Sequence, residues 1–477
     1  MTLVEPQAEV QTEAAVVPGA AVESDAAVQS GRAVETEAPA EIEPQVDASA
    51  VPRPAPALDY FGEYQGSGYA EPRYLVRRSD GQVIQLTLLL DLVLRQIDGV
   101  RDLTAIAAEV TVAFGRLVRA DDVAYLIEHK LQPVGLVAAE DDAERVLPRT
   151  DLLLAMRGHR TLVGQRQVLF LARALAWLHR PPVVALVLVA ALAFDGWLFG
   201  RHGAVGPLLS VFNEPLMILA VLGLGIASMV FHEFGHASAC HYSGARPGRI
   251  GCGIFLIWPS LYTDVTDVYR VGRRGRLRTD LGGVYFNTIF ILALAGVYAW
   301  TQHPVFLAAV LFVHFEILDQ LLPVVRLDGY FILADLAGVP DLFGRIRPIL
   351  SGLLPRNRAQ GRPGDLRRGA RIAVTTWVLV TVPLLLAELV WLVWNLPRLT
   401  RTSIDSLTAY AREIHAAAGQ HQWAELTLDS IAVILLVIPA IGLTWLLLRV
   451  AGRLGRAGLR RAARARPRRP PRGRHRR

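Results

Sequence analysis

The spacing of hydrophobic residues along the chain changes near residue 180. Beyond this point the sequence contains long, nearly uninterrupted apolar runs, and a helix that crosses a bilayer needs about 20 such residues. Six runs meet this requirement, so the pattern predicts a mainly α-helical, polytopic membrane protein with about six transmembrane helices. The predicted spans are residues 182–200, 215–241, 282–301, 304–325, 371–396 and 429–449.

Before residue 180 the apolar residues are regularly separated by polar ones, and this pattern predicts a small soluble domain over residues 58–140. RYLVRR and QVIQL alternate apolar and polar residues on either side of Ser79-Asp80-Gly81, which predicts a hairpin. LTLLLDLVLRQID, LTAIAAEVTVAFG and ADDVAYLIEHKLQ repeat apolar residues every three or four positions, which predicts three helices. Two strands and three helices indicate a winged-helix-like α+β domain.

Three further segments differ in composition from these two regions. Residues 1–57 are rich in Ala, Glu, Pro and Val and poor in aromatics, which predicts a disordered acidic tail. Residues 141–181 mix arginine with leucine and aromatic residues, which predicts an amphipathic linker, helical over 150–180, at the membrane surface. Residues 451–477 form a basic tail predicted to be disordered. The membrane domain between them is predicted to cover residues 182–450.

The distribution of arginine predicts how the spans are oriented. The loops after the second and fourth spans and the C-terminal tail are basic, whereas residues 201–214 contain one arginine and residues 302–303 contain none. The positive-inside rule then places both termini and the soluble domain in the cytoplasm. The net charge of +7 is concentrated at the membrane edges. The basic tail is therefore expected to bind anionic lipid, and no nucleic-acid partner is expected.

The second predicted span carries ionisable residues in the sequence His232-Glu233-Phe234-Gly235-His236. Two histidines four positions apart lie on one face of a helix and can ligate one metal ion, with the glutamate beside them as general base. Burying these groups in an apolar helix is costly, which favours a functional zinc site over a chance match.

A third ligand is predicted at Asp328, in the sequence LLPVVRLDGYF after the fourth span. Both this position and His232 come at the cytoplasmic end of spans that run in the same direction, so the topology brings them to similar depth. A turn residue before Gly329 is the other interpretation of Asp328. His241 is not expected to ligate, because it points to another side of the helix. His314, Glu316 and Asp319 could be ligands or a proton path, although a hydrogen-bond cluster facing the bundle is favoured.

HExxH in a membrane helix with a later LDG resembles the site-2 protease class of intramembrane zinc metallopeptidases. The runs HEFGHASACHYSGARPGRIG, WPSLYTDVTDVYRVGRRGRLRTDLGGVYFN and LLPVVRLDGYFILADLAGVPDL are similar to the bacterial peptide zinc metalloprotease branch of that class. The soluble domain resembles the PqqD-like peptide-binding fold. The resemblance covers roughly residues 60–345. The sequence has Leu322-Pro323 where the wider class has an Asn-Pro dipeptide.

The resemblance implies a function and a set of site residues. His232, His236 and Asp328 would ligate Zn²⁺, Glu233 would be the catalytic base, and Asn287 would lie near the substrate or the oxyanion. The implied activity is peptide-bond hydrolysis at the cytoplasmic face of a bacterial inner membrane, on a peptide or membrane-protein substrate recruited by the N-terminal domain. The Gly-rich stretch Ile250–Tyr262 is predicted to form a hairpin that pairs with an unwound substrate strand.

Two other functions are compatible with parts of the pattern. A non-hydrolytic peptide-binding or export component would use the same N-terminal domain and a purely structural zinc. Metal-ion transport would need polar residues in several spans, and the first, fifth and sixth spans have almost none.

Overall fold

The computed structural model describes residues 49–138, 157–203, 206, 209, 211, 214–255, 258–353 and 365–465. Most of the acidic tail, part of the predicted linker and the last twelve residues of the basic tail lie outside these ranges. The chain is mostly helical, with a small three-stranded sheet and helices in its N-terminal region, as the hydrophobic pattern predicts.

The N-terminal region is an antiparallel meander followed by helices. Its strands are β1 (Asp59–Glu63), β2 (Arg73–Arg77) and β3 (Val83–Thr87), in the order β1-β2-β3, and its helices are α1 (Leu88–Gln96), α2 (Leu103–Phe114) and α3 (Ala120–Leu126), the last continued by a π-helical turn over Ile127–Leu131. The predicted hairpin is β2–β3, and Gly81 takes the left-handed φ of 89° that its turn requires. Asp102 caps α2, because its carboxylate accepts a hydrogen bond from the Ala105 amide at 2.7 Å.

Two features of this region differ from the prediction. The strand β1 was not predicted, because a bulge between Tyr60 and Gly62 breaks the alternation of its side chains. Order also begins earlier than residue 58, because the amide of Ala55 donates to the carbonyl oxygen of Leu136 at 3.0 Å.

The residues before the first span are only partly the helix that their composition predicts. Residues Arg157–Val163 form strand β4, and only Gln165–Leu175 (α4) and a 3₁₀ turn over Ala176–His179 are helical. The prediction of a helix over 150–180 is therefore wrong for β4. The reason is a long-range partner, since β4 pairs antiparallel with a strand almost a hundred residues later.

That partner is β5 (Ile250–Phe255), which forms a hairpin with β6 (Trp258–Thr263). The hairpin predicted over Ile250–Tyr262 is confirmed. The three strands make a second antiparallel sheet in the order β4-β5-β6.

Within the ranges given above, six helices are long and apolar enough to cross a membrane. They are α5 (Pro181–Trp197, continued by a π-helical turn to His202), α6 (Pro215–Tyr242), α8 (Gly282–Thr301), α9 (Pro304–Leu321), α12 (Arg368–Gly419) and α13 (Trp423–Ala465). Shorter helices between them include α7 (Arg273–Asp280), α10 (Asp328–Ala337) and α11 (Ile346–Leu353). The number of spans agrees with the prediction, and the chain is a multi-pass membrane protein.

The ends of three spans were misplaced. The fourth span was predicted to reach residue 325, but α9 ends at Leu321. The fifth helix continues through Pro383 and Pro397 to Gly419, where a loop was predicted from residue 397. Proline is tolerated within membrane helices, so neither Pro383 nor Pro397 ends this one. The last helix continues to Ala465, into the tail predicted to be disordered from residue 451.

Candidate metal centre

The two histidines of the HExxH sequence share one buried face of α6. His232 is 0% exposed and His236 is 1% exposed. Their separation of four residues places the rings one above the other, and their Nε2 atoms are 2.9 Å apart. Both imidazoles therefore present the same nitrogen to one point.

Asp328 reaches that point from a second helix. It is the first residue of α10, which begins after a non-helical segment that follows α9. Its Oδ2 lies 3.0 Å from His232 Nε2 and 3.4 Å from His236 Nε2. The interpretation of Asp328 as a turn residue is thus wrong, since its carboxylate is fully buried against both histidines.

The glycine after Asp328 permits this approach. A Cβ atom at Gly329 would lie 2.1 Å from the carbonyl oxygen of Leu321, the last residue of α9. The N-terminus of α10 also favours a carboxylate, because its free backbone N–H groups carry partial positive charge. Burial raises the pKa of the Asp328 carboxyl. The imidazoles of His236 and His232 lower that pKa by a larger amount, so it lies below its usual range.

The hydrogen bonds of the two imidazoles determine which nitrogen carries the proton. His236 Nδ1 is 2.8 Å from the backbone carbonyl oxygen of Thr279, which can only accept. His232 Nδ1 is 3.2 Å from Oδ1 of Asn287, which also accepts. Both Nδ1 atoms therefore donate, and in the neutral rings both Nε2 atoms carry lone pairs directed at each other and at Asp328.

Such an arrangement of lone pairs fits a metal ion. The ligand atoms of His232, His236 and Asp328 all lie within 4.8 Å of one another. Neither carboxylate oxygen of Asp328 accepts a conventional hydrogen bond from the described residues, although both are buried. Two imidazole nitrogens and a carboxylate are a donor set that zinc accepts, and partners such as Thr279 and Asn287 orient zinc-ligating histidines in the same way.

Glu233 lies beside these three candidate ligands without belonging to their cluster. It is 1% exposed, and its Oε2 accepts a hydrogen bond of 2.6 Å from the hydroxyl of Thr263. Thr263 is the last residue of β6, so the strand holds the orientation of the Glu233 carboxyl.

Close packing of α6 against α8 depends on glycine. A Cβ at Gly235 would lie 2.3 Å from the carbonyl oxygen of Gly282, and a Cβ at Gly283 would lie 2.1 Å from Nε2 of His232. Small residues allow membrane helices to approach closely, and here they bring Asn287 of α8 to His232.

We expect Gly283→Ala to lose zinc, because the added methyl group would occupy the space of the His232 imidazole. The expected loss of zinc affinity is about tenfold or more, on the scale of disturbed ligand orientation. Zinc per purified chain, measured by mass spectrometry of the metal, checks this result. Gly296→Ala on the same helix is the matched control, because nothing lies within 4 Å of its added Cβ. Equal zinc content in the two variants would contradict the proposed packing.

The structure separates other predicted candidates from this cluster. His314 Nε2 lies 3.2 Å from Asp195 Oδ1 on α5, and its Nδ1 lies 2.8 Å from the Val310 carbonyl oxygen, which agrees with a bundle-facing hydrogen-bond pair. Among the described residues, the metal-ligand cluster contains neither His314, Glu316, Asp319 nor His241.

Sequence reasoning missed Thr263, Thr279 and Gly283. Thr263 and Thr279 act on the site through contacts across 30 and 43 residues, which no local pattern indicates. The pair Gly282-Gly283 was an available signal, since paired glycines in an apolar span indicate a close helix approach.

Comparison with known proteins shows similarity to a distant relative. The chain is 27% identical over 127 residues to "Putative peptide zinc metalloprotease protein YydH" of Bacillus subtilis (strain 168), and these residues are 26% of this chain and 50% of that protein. The chain thus spans about half the length of this curated relative. No family model matches the chain. No solved structure matches it either. The chain is a multi-pass membrane protein with a buried His-His-Asp cluster and distant similarity to a protein named as a zinc metalloprotease.

Proposed function

We propose that this protein is a membrane-embedded zinc metalloendopeptidase of the site-2 protease class. The observation that carries the proposal is the convergence of His232, His236 and Asp328, with Glu233 beside them and outside the ligand set. A catalytic zinc site has three protein ligands and an open position, whereas a structural site is usually closed by four. This count favours hydrolysis over the non-hydrolytic binding or export component.

The chain's own residues supply the proton transfers of peptide hydrolysis. Zinc, when bound by the three ligands, supplies the Lewis acidity that activates water and polarises the scissile carbonyl. Glu233 takes the proton from the attacking water and delivers it to the leaving amine nitrogen as the C–N bond breaks. Thr263, by donating to Oε2 of Glu233, holds the carboxyl in one orientation through both transfers.

Asn287 is suited to a second role in addition to orienting His232. Its Oδ1 is used by His232, while its Nδ2 is buried and has no hydrogen-bond partner among the described residues. An amide N–H beside the reacting carbonyl stabilises the negative oxygen of the tetrahedral state. The amide would thus hold a ligand with one atom and the substrate oxyanion with the other.

The sheet next to Glu233 suggests how a substrate is held. β6 is an edge strand of the described sheet, and its last residue contacts Glu233. A substrate segment unwound from its helix would add to this edge as a further strand, which exposes its carbonyl groups to attack. Replacing Gly251 or Gly253 with valine would disrupt this hairpin directly. At Gly251, however, the added Cβ would lie 2.5 Å from the Arg160 carbonyl oxygen, so this substitution would also disturb β4.

Backbone methylation of the substrate tests this strand addition without altering the protein. Two series of a cleaved peptide would carry N-methyl groups, one at odd and one at even positions. Because every second N–H of a paired strand faces its neighbour, one series is expected to lose cleavage and the other to be tolerated. Cleavage rates of the two peptide series give the answer. Similar rates for both phases would contradict pairing with β6.

The cellular setting is part of the same proposal. The basic loops after the second and fourth spans support a bacterial inner-membrane protein with both termini in the cytoplasm, and thus cleavage at the cytoplasmic face. The N-terminal domain would recruit the peptide or membrane-protein substrate, and the basic tail would bind anionic lipid. Protease accessibility of tags at the two termini in oriented vesicles tests the topology.

A further inference from the structure

A segment of the N-terminal domain lies against the membrane domain, next to the end of the helix that begins with Asp328. This wedge, residues 64–70, connects β1 to β2. The amide of Gly68 donates to the Gly338 carbonyl oxygen at 2.8 Å, just after α10, and the Gly68 carbonyl oxygen accepts from the Arg367 amide at 2.8 Å, just before α12. The wedge is therefore held by backbone hydrogen bonds between two elements of the membrane domain.

The fit of the wedge leaves no room for a side chain at Gly68. An added Cβ would lie 2.0 Å from the carbonyl oxygen of Ala337 and 2.8 Å from the Cβ of Ala370. A contact this close is not formed by two domains that are merely tethered by a linker.

One buried arginine joins the wedge to the membrane domain. Arg276 of α7 is 0% exposed. Its Nε donates to Asp335 Oδ1 at 2.8 Å and its Nη2 donates to the Gln65 carbonyl oxygen at 3.0 Å. The guanidinium carbon lies 4.2 Å from the centre of the Tyr64 ring, and the Tyr64 hydroxyl donates to Asp335 Oδ1 at 2.9 Å. Tyr64 and Arg276 thus hold the same carboxylate oxygen.

Both helices joined by this ion pair also contribute to the metal centre, α10 through Asp328 and α7 through the Thr279 carbonyl oxygen. Asp335 is seven residues after Asp328 on α10, almost two full turns, so the two carboxylates lie on one face of that helix. Arg276 is three residues before Thr279 on α7, whose carbonyl oxygen accepts the hydrogen bond from His236 Nδ1 at 2.8 Å. The Arg276–Asp335 pair therefore sets the distance between the helix that supplies Asp328 and the helix that orients His236.

We propose that the wedge helps to fix the geometry of the metal centre. Tyr64 and Arg276 act as positioning residues for Asp328 and His236. Buried ion pairs are sensitive to the loss of a neighbouring hydrogen bond, because the remaining charge is left less well solvated. Loss of the Tyr64 hydroxyl would therefore loosen Asp335 and, through the same helix, Asp328. This inference rests on the proposed metal centre.

The test is the rate at which zinc leaves the full-length, detergent-purified protein into an excess of a chromogenic chelator. Tyr64→Phe removes only the hydroxyl that reaches Asp335, and zinc release is expected to be about threefold to tenfold faster, as for one buried hydrogen bond. Gly68→Ala, which displaces the wedge, is expected to have a larger effect. Tyr74→Phe is the matched control, because Tyr74 packs against the domain's own core.

Visible absorption of the cobalt-substituted protein gives a second readout. A shift of the cobalt bands in Tyr64→Phe that is absent from Tyr74→Phe is expected for altered ligand geometry and not for general loss of stability. Wild-type release rates and spectra in both Tyr64→Phe and Gly68→Ala would overturn the inference while leaving the proposed function intact. A wild-type protein that binds no zinc would instead overturn the proposed function itself.

Discussion

Glu233→Gln is expected to abolish peptide hydrolysis while the protein keeps its zinc and its fold. Glutamine has nearly the same size and can still accept the hydrogen bond from Thr263, but it cannot take up a proton from water. Loss of a general base costs about 10²- to 10⁴-fold in rate. Glu233 lies outside the His232, His236 and Asp328 cluster, so the metal should remain bound.

Mass spectrometry of peptide products from a membrane-peptide mixture, together with zinc per chain, measures both parts of this prediction. Asp319→Asn is the control, because Asp319 is an exposed carboxylate on the neighbouring helix α9 and should leave product formation unchanged. The inactive Glu233→Gln protein should also retain uncut substrate for identification. Undiminished cleavage by Glu233→Gln would favour the non-hydrolytic component over the proposed peptidase.

Asp328→Ala is expected to release the metal from a protein that otherwise holds about one zinc per chain. The substitution leaves two imidazoles from a single helix and removes the carboxylate that joins α10 to α6. Loss of a ligand should exceed the roughly 10- to 100-fold loss of metal affinity that follows from disturbing an outer-shell partner. Metal analysis of wild type, Asp328→Ala and the exposed control Asp319→Ala, each with a circular dichroism spectrum, measures the effect.

Each outcome of the Asp328 experiment has a distinct meaning. Zinc retained in Asp328→Ala would show that another residue completes the ligand set, and His314 and Glu316 would be the next to replace. Absence of zinc from both proteins after reconstitution would remove the basis for a peptidase and leave the N-terminal domain as the functional unit to pursue.

The candidate metal ligands could be predicted from the sequence, whereas most of the surrounding site could not, and the difference has a physical reason. His232 and His236 were predictable because a spacing of four residues puts two side chains on one helix face whatever the helix packs against. Asp328 was predictable from sidedness, because α6 and α9 run in the same direction and His232 lies as far from the start of α6 as the end of α9 lies from its own start. Asn287 was located by resemblance, but its contact with His232 requires α8 to pack closely against α6, which Gly235 and Gly283 permit.

The sequence by itself determined the six apolar spans, the soluble region before them and the pair of histidines on one helix. These features depend on periodicity within a single segment and on the thickness of a bilayer, so each can be identified without knowing its neighbours. Only the tertiary structure decided that Arg157–Val163 is a strand, that Thr263 holds Glu233, and that Tyr64 contacts Asp335 across 271 residues. Contacts of this kind depend on how distant segments pack together, and no segment encodes its partner in its own pattern.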